Sequence, residues 1–335
     1  MADMPTLGGP PRKRSPGAVI VVVVILVGTV GGIGVARWRR QHAQAAATAA
    51  AVDAGPAVVE APKPPPTPQE QMAKAGLKLA HVSIQGPLET SVVDSVGPQS
   101  GPQLTQVVTR ALVWWMDVPA DFRKGDTLDV LFEERNAQEP IVHAVRYVST
   151  KLGKTFAAYR FKAQGDAYPR LYQPSGDELE LRLKDAPLED YEQVTSHLRD
   201  GRHHKGVDFK TPVGSKVHAT FAGLVTRKTW NFRANGNSLE VTDSSGRKAI
   251  FLHLSEIPKT THVGQKIAKE EVIGDSGNTG HSFAPHLHYQ LMQGEKLLDP
   301  FKVQETYRKR LSTDQLAAFT TEVRHLDAWM GVTGT

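Results

Sequence analysis

His281-Ser-Phe-Ala-Pro-His286-Leu-His288-Tyr-Gln-Leu291, running on to Leu298-Asp299-Pro300, is the stretch around which the chain is organised. On a β-strand, side chains at i and i+2 project from the same face, roughly 6–7 Å apart. His286 and His288 would therefore reach one site while Leu287 points into a core. Pro285 suits the position before the strand, where no ladder donor is yet needed.

A second fragment lies about eighty residues upstream, Arg202-His-His204-Lys-Gly-Val-Asp208-Phe209. Among the histidines of the chain, only His204 has an aspartate four residues later, and His-x-His occurs once. A third fragment, Ala249-Ile-Phe-Leu-His253-Leu-Ser255, sets one histidine in an apolar run. Three protein ligands of His and Asp with a fourth position left open is how a catalytic zinc is held. Such an ion supplies hydroxide at neutral pH and polarises a carbonyl. His204, Asp208 and one histidine of the 286/288 pair could supply those ligands, and spacing leaves open which. The remaining histidines could then move protons.

Gly201–Pro212, Phe251–Ser255, Gly274–Gly280 (Gly-Asp-Ser-Gly-Asn-Thr-Gly) and Pro285–Tyr289 closely resemble the LytM/lysostaphin-type zinc metallopeptidases. These are peptidoglycan endopeptidases marked by His-x-x-x-Asp and His-x-His. The resemblance implies that His204, Asp208 and His288 bind one zinc ion and that His286 and His253 are catalytic. It also implies cleavage of peptide cross-links in peptidoglycan, with the D-Ala to diaminopimelate bond as the expected target. The rival is a silent LytM-like module that binds and activates an amidase. Such relatives typically lose zinc ligands, whereas all five positions are intact here. Ser196–His204 is shorter than in many relatives and holds no tyrosine to stabilise an oxyanion, which leaves substrate choice open. His197, His218, His262 and His281 read as surface or supporting residues, with His281 best placed to support the site.

The chain has no cysteine, which excludes a thiolate metal site, a Cys nucleophile and a disulfide. The absence of Gly-x-Ser-x-Gly argues against a serine hydrolase. The absence of His-Glu-x-x-His argues against a Glu base. A net charge of +5 is carried by dispersed Lys and Arg, without a basic stripe interleaved with aromatics. Attraction to anionic cell wall fits that surface better than nucleic acid does.

From the amino terminus, a polar tail (1–16) leads to a charge-free apolar segment (17–36), read as a membrane anchor or a signal sequence. Residues 37–75 are Ala- and then Pro-rich, a spacer that cannot bury enough surface to fold. Residues 76–190 give an α+β pattern with an amphipathic helix over Leu104–Met116. Strands are predicted at Thr127–Glu133, Ile141–Thr150, Thr155–Phe161 and Glu178–Leu183. The Phe122–Asp126 turn, Arg160-Phe161 and Leu188 resemble the accessory domain of envelope-anchored Gram-negative members. In that group the region before the peptidase can cover the active-site groove. Trp114-Trp115 reads as core and its edge, and His143 as structural. Residues 191–303, with short strands and frequent glycine turns, predict an antiparallel β fold carrying the site.

The tail (304–335) predicts a helix over Thr313–Met330, capped at Ser312 or Thr313 and packed on the peptidase. The expected architecture is thus mainly β/α+β, an antiparallel peptidase sheet preceded by a smaller α+β domain and a transmembrane helix. The expected location is the inner membrane, with the catalytic domain in the periplasm.

Overall fold

Short apolar strands and a few amphipathic helices cannot bury their faces singly, so the fold is settled by what covers each sheet. The computed structural model describes residues 64–332 apart from 137, 201 and 202. The anchor segment and most of the spacer lie outside the described residues. Among the described residues no helix is long and apolar enough to cross a membrane.

Helix α1 (Pro68–Lys74) opens on a capping box from Thr67 and Glu70. Strand β1 (Leu77–Ser83), helices α2 (Leu88–Val96) and α3 (Gly101–Leu112), and strands β2 (Thr127–Glu133), β3 (Ile141–Ser149), β4 (Lys154–Phe161) and β5 (Arg170–Tyr172) follow. The five strands form one antiparallel sheet in sequential order. The apolar stripe of α3, Leu104, Val108, Ala111 and Leu112, packs on one face of it against Val130, Val145 and Tyr147. Helix α3 starts three residues before the sequence-predicted Leu104 and ends at Leu112, with Trp114 and Trp115 half-buried beyond it.

The second sheet holds the site. Strands β7 (Gln193–Ser196), β8 (Val207–Lys210), β10 (Gly223–Lys228), β11 (Asn237–Thr242), β12 (Arg247–Leu254), β13 (Lys266–Ile267), β15 (His286–Gln293) and β16 (Lys296–Leu298) make it eight-stranded. Its order is β13-β10-β11-β12-β15-β8-β7, with β16 on β15 and every pairing antiparallel. Strands β9 (Lys216–His218) and β14 (Val272–Asp275) pair separately. Phe209, Phe251, Leu287, Tyr289 and Leu291 form the centre of its core. The alternation predicted around Leu287 holds: it is fully buried while its two histidine neighbours face the other way.

Two expectations are corrected. The segment Glu178–Leu183 is not a continuous strand; only Arg182–Leu183 (β6) is, paired with β17 (Thr306–Tyr307). Its backbone is divided between two partners, since Leu179 N–H donates to Leu171 O while Glu178 N–H donates to Lys309 O. Nor does the carboxyl-terminal helix pack on the peptidase sheet. Helix α6 (Thr313–Met330) follows the short α5 (Pro300–Val303) and is capped at Ser312 as predicted; another single turn, α4, spans Phe232–Asn235. It lays Phe319, Leu326, Trp329 and Met330 on the second face of the first sheet, against Leu131, Ala144, Tyr159 and Tyr172. Tyr159 Oη donates to Asp327 Oδ1 at 2.7 Å across that contact. Strand β2 is therefore covered on both faces, which is why Val130-Leu131-Phe132 is apolar without alternation.

Candidate metal centre

The antiparallel pairing of β8 with β15 sets Asp208 directly opposite His288 and Lys210 opposite His286. Directly opposed residues project from the same face, so this register alone brings the aspartate to the His-x-His pair. His204 precedes β8 and reaches the same point from the edge. His204 Nε2, Asp208 Oδ1 and His288 Nδ1 lie 2.8–3.2 Å from one another. Among the described residues this is the one group of at least three whose donor atoms converge in the way a metal site requires.

The donor set fits a tetrahedral cation. Bonds of about 2.0–2.1 Å at the tetrahedral angle put neighbouring ligand atoms roughly 3.3 Å apart, a few tenths wider than observed. The proton on His204 is placed correctly for it. His204 Nδ1–H donates to the carbonyl of His197 at 3.0 Å and lies 2.9 Å from Ser196 Oγ, which leaves the Nε2 lone pair free. Burial alone would raise the Asp208 carboxyl, yet hydrogen bonds and charge from His204 and His288 hold it well below the usual carboxylate range. The same carboxylate outweighs burial at His204 and raises that imidazole.

Gly206, between the two ligands of β8's approach, has a steric reason to lack a side chain. A Cβ there would lie 2.4 Å from Tyr289 O and 2.8 Å from His288 Nε2. Gly277 is similarly constrained, with a Cβ 2.3 Å from Ser255 N–H and 2.7 Å from His253 O.

His253 and His286 complete the face. Their rings are 4.8 Å apart, and His253 is 6.1 Å from His288. His253 Nδ1–H donates to Thr279 O at 2.8 Å, leaving Nε2 unprotonated. Burial pushes its pKa down to about 4, so it is neutral at pH 7. It sits at φ 63°, a left-handed conformation unusual for a residue other than glycine. His286 Nδ1–H donates to Ala284 O at 2.8 Å, and its Nε2 stands 3.8 Å from Asp208 Oδ1.

The structure thus gathers all five residues singled out in the sequence. Residues 202–300 match the model of peptidase family M23. That segment contains all five of these residues. The peptidoglycan DD-endopeptidase ShyB of Vibrio cholerae is 28% identical over 66% of this chain and 53% of its own length. The glycyl-glycine endopeptidase ALE-1 of Staphylococcus capitis is 36% identical over 28% of this chain and 25% of its own. The structure of Helicobacter pylori Csd3 from the orthorhombic crystal aligns with 75% of this chain and 70% of that one, at 18% identity and a TM-score of 0.36. The chain spans about half the length of the Vibrio relatives it matches.

Some features of the M23 site escape sequence reasoning. His281 does not support the triad: it is exposed and packs edge-on against Phe283. The supporting groups are the carbonyl of His197 and the hydroxyl of Ser196, whose only signal is their place on the strand edge beside β8. His197 itself is wedged between Trp114 and Phe301, and burial pushes its pKa down to about 4. Helix α3 contributes Thr105, Thr109 and Arg110 to one wall of a cavity of about 350 Å³ whose other wall includes Ser196 and Asp208.

Proposed function

We propose that the chain is a zinc-dependent endopeptidase that hydrolyses peptide cross-links of peptidoglycan, with the D-Ala to diaminopimelate bond as its target. The observation that carries this reading is the convergence of His204, Asp208 and His288 with two further histidines, each with one nitrogen free, on the same sheet face. The peptidoglycan DD-endopeptidases among the relatives supply the substrate class.

His204 Nε2, Asp208 Oδ1 and His288 Nδ1 would hold the zinc. When bound, the ion supplies a Lewis acid for the scissile carbonyl and lowers the pKa of water at its open position. The chain's own residues handle protons and orientation. His286, fixed by its hydrogen bond to Ala284 O, offers Nε2 to take a proton from the attacking water and return it to the leaving amine. His253, held neutral by burial and oriented by Thr279 O, presents its free Nε2 beside His286. The carbonyl of His197 keeps His204 in the tautomer that binds metal. With cell-wall peptides as substrate, the apolar segment 17–36 serves as a single-pass anchor that leaves the M23 domain in the periplasm.

The test is to incubate the full-length chain in detergent with cross-linked sacculi, with and without a chelator, and to analyse the muropeptides by mass spectrometry. Chelator-sensitive loss of cross-linked dimers is expected and would identify the bond. Intact dimers after incubation with the zinc-loaded protein would overturn the reading in favour of a silent amidase activator. His204→Ala should lose zinc and cleavage together; zinc-dependent cleavage by that variant would overturn the ligand assignment.

A further inference from the structure

A cavity of about 480 Å³ lies between the amino-terminal sheet and the M23 sheet, outside the ligand triad. Its M23 side includes Gln193, Lys210 and Ala284. Lys210 stands opposite His286 across β8 and β15, and Gln193 stands opposite Lys210 across β7 and β8. All three side chains project from the catalytic face. The cavity therefore continues the floor of the active site beyond His286. Its far side comes from the amino-terminal sheet and the segment after it, through Arg135, Arg160 and Glu180.

The charges lining this space are not balanced in place. Arg110 forms a two-point pair with Glu139 at 2.6 and 3.0 Å. Lys210 pairs with Glu192 at 2.9 Å. Glu178 is taken by Arg182 at 2.7 and 2.8 Å and by Arg170 at 3.6 Å. Arg160 and Glu180 remain. Arg160 is half-buried, and its guanidinium makes no hydrogen bond or ion pair to any described residue. Its charge interacts with Glu192, Glu133, Arg135 and His143 only at a distance. Glu180 accepts one hydrogen bond, from Val194 N–H at 3.0 Å.

Burial pulls the Arg160 guanidinium below its ordinary pKa and pushes the Glu180 carboxyl up to about 8. At neutral pH Glu180 is then a hydroxyl donor, not an anion. A guanidinium without an acceptor, a protonated carboxyl and the exposed Arg135, whose nearest carboxylate is 4.0 Å away, line the same cavity.

We propose that this cavity is a subsite for a free carboxylate of the substrate peptide, bound by Arg160 and flanked by Arg135 and Glu180. The inference rests on the peptidoglycan reading above, because γ-linked glutamate and diaminopimelate leave carboxylates free along such peptides. The fork of a guanidinium matches a carboxylate in a two-point, charge-assisted bond, whereas a carboxamide in its place leaves Arg160 with only a neutral acceptor. The subsite thus reads whether the carboxylates beside the scissile bond are free or amidated.

The test uses the metal-stripped full-length chain in detergent, so that binding is read without turnover. Calorimetric titration compares a synthetic cross-linked stem-peptide dimer carrying its free carboxylates with the same dimer amidated. The wild type should bind the acid dimer about tenfold more tightly, a comparison that needs no variant to fold. In Arg160→Gln, checked by circular dichroism, the preference should shrink below about twofold, and Arg160→Lys should restore part of it. Equal binding of both dimers by the wild type, or a preference that survives in Arg160→Gln, would overturn the proposal. Cleavage of both dimers at one rate by the zinc-loaded wild type would remove the subsite and leave the endopeptidase reading standing. Acid-selective binding by a zinc-loaded protein that cleaves neither would do the reverse.

Discussion

Replacing Gly206 by alanine places the only new atom of the variant against the metal site. The Cβ would lie 2.4 Å from Tyr289 O, 2.8 Å from His288 Nε2 and 3.0 Å from His288 Cε1, where ordinary contact begins at 3.4 Å. Relief requires a displacement of about 1 Å at a backbone carbonyl, or of several tenths at the imidazole ring. The carbonyl belongs to β15 at its pairing with β8, so it yields less readily than a side chain. The ring is the ligand whose Nδ1 sits 2.8 Å from Asp208 Oδ1 and 3.0 Å from His204 Nε2. Overpacking of this kind costs about 1–3 kcal/mol of stability. Misorienting a ligand typically costs about 10–100-fold in metal affinity. Zinc affinity, measured at pH 7 by competition with a chromophoric chelator, should therefore fall by at least about tenfold while the far-ultraviolet dichroism stays native. Lys205→Ala, at the exposed neighbouring position, should bind zinc like the wild type. A Gly206→Ala protein that melts normally and holds zinc within twofold of wild type would refute the claim that close approach at Gly206 sets the position of His288.

Three further outcomes follow from the structure. His286→Ala should retain zinc, because the triad does not include it, yet lose about 10²–10⁴-fold in cleavage rate; parallel loss of zinc would show that it is a ligand. Phe319→Ala, fully buried in the contact of α6 with the amino-terminal sheet, should cost about 3–5 kcal/mol in chemical denaturation, and a loss below about 1 kcal/mol would mean that the helix is not docked there in solution. Glu180 has its folded-state pKa raised from 4.5 to about 8, so its contribution to stability is full below pH 4.5 and is lost as pH rises through 8. Glu180→Gln cannot lose it, and the variant should gain on the wild type across that window by on the order of 2 kcal/mol, after discounting for solvent contact. Parallel stability curves would contradict the burial assigned to that carboxyl.

How legible these features are in the sequence depends on whether their cause is local. His204, Asp208, His253, His286 and His288 can be found because strand periodicity and ligand chemistry both constrain them, and each carries its own side chain to the site. Their supports cannot be found in the same way. The carbonyl of His197 has no residue-type signature, and the strand edge that brings Ser196 beside His204 depends on register. His281, the histidine nearest the pair in sequence, is exposed, and its backbone N–H donates to Ala234 O. Helix α6 is legible as a helix, from its Ser312 or Thr313 cap and its apolar stripe, but not in its destination, because periodicity names a buried face without naming what covers it. The clue lay elsewhere, in the unbroken apolar run Val130-Leu131-Phe132, which requires cover on both faces of β2. Glu178–Leu183 departs from a strand for a related reason: its alternation is that of a strand, but its neighbours are two segments that each pair with only part of it.

The docking of α6 also fixes an order of events during synthesis. Domains generally fold as units from the amino terminus while the chain emerges from the ribosome. Here the amino-terminal sheet cannot bury its second face until residues 313–330 exist, by which point every strand of the M23 domain has already been made. A nascent chain therefore carries an open apolar sheet face, Leu131, Tyr159 and Tyr172 among its residues, from the completion of β5 until α6 has been made. Premature termination between His288 and Thr313 leaves that face uncovered although the metal triad is complete. Helix α6 thus shields that face: a chain truncated ahead of it presents an apolar surface of the kind chaperones and proteases recognise, whatever the state of its active site.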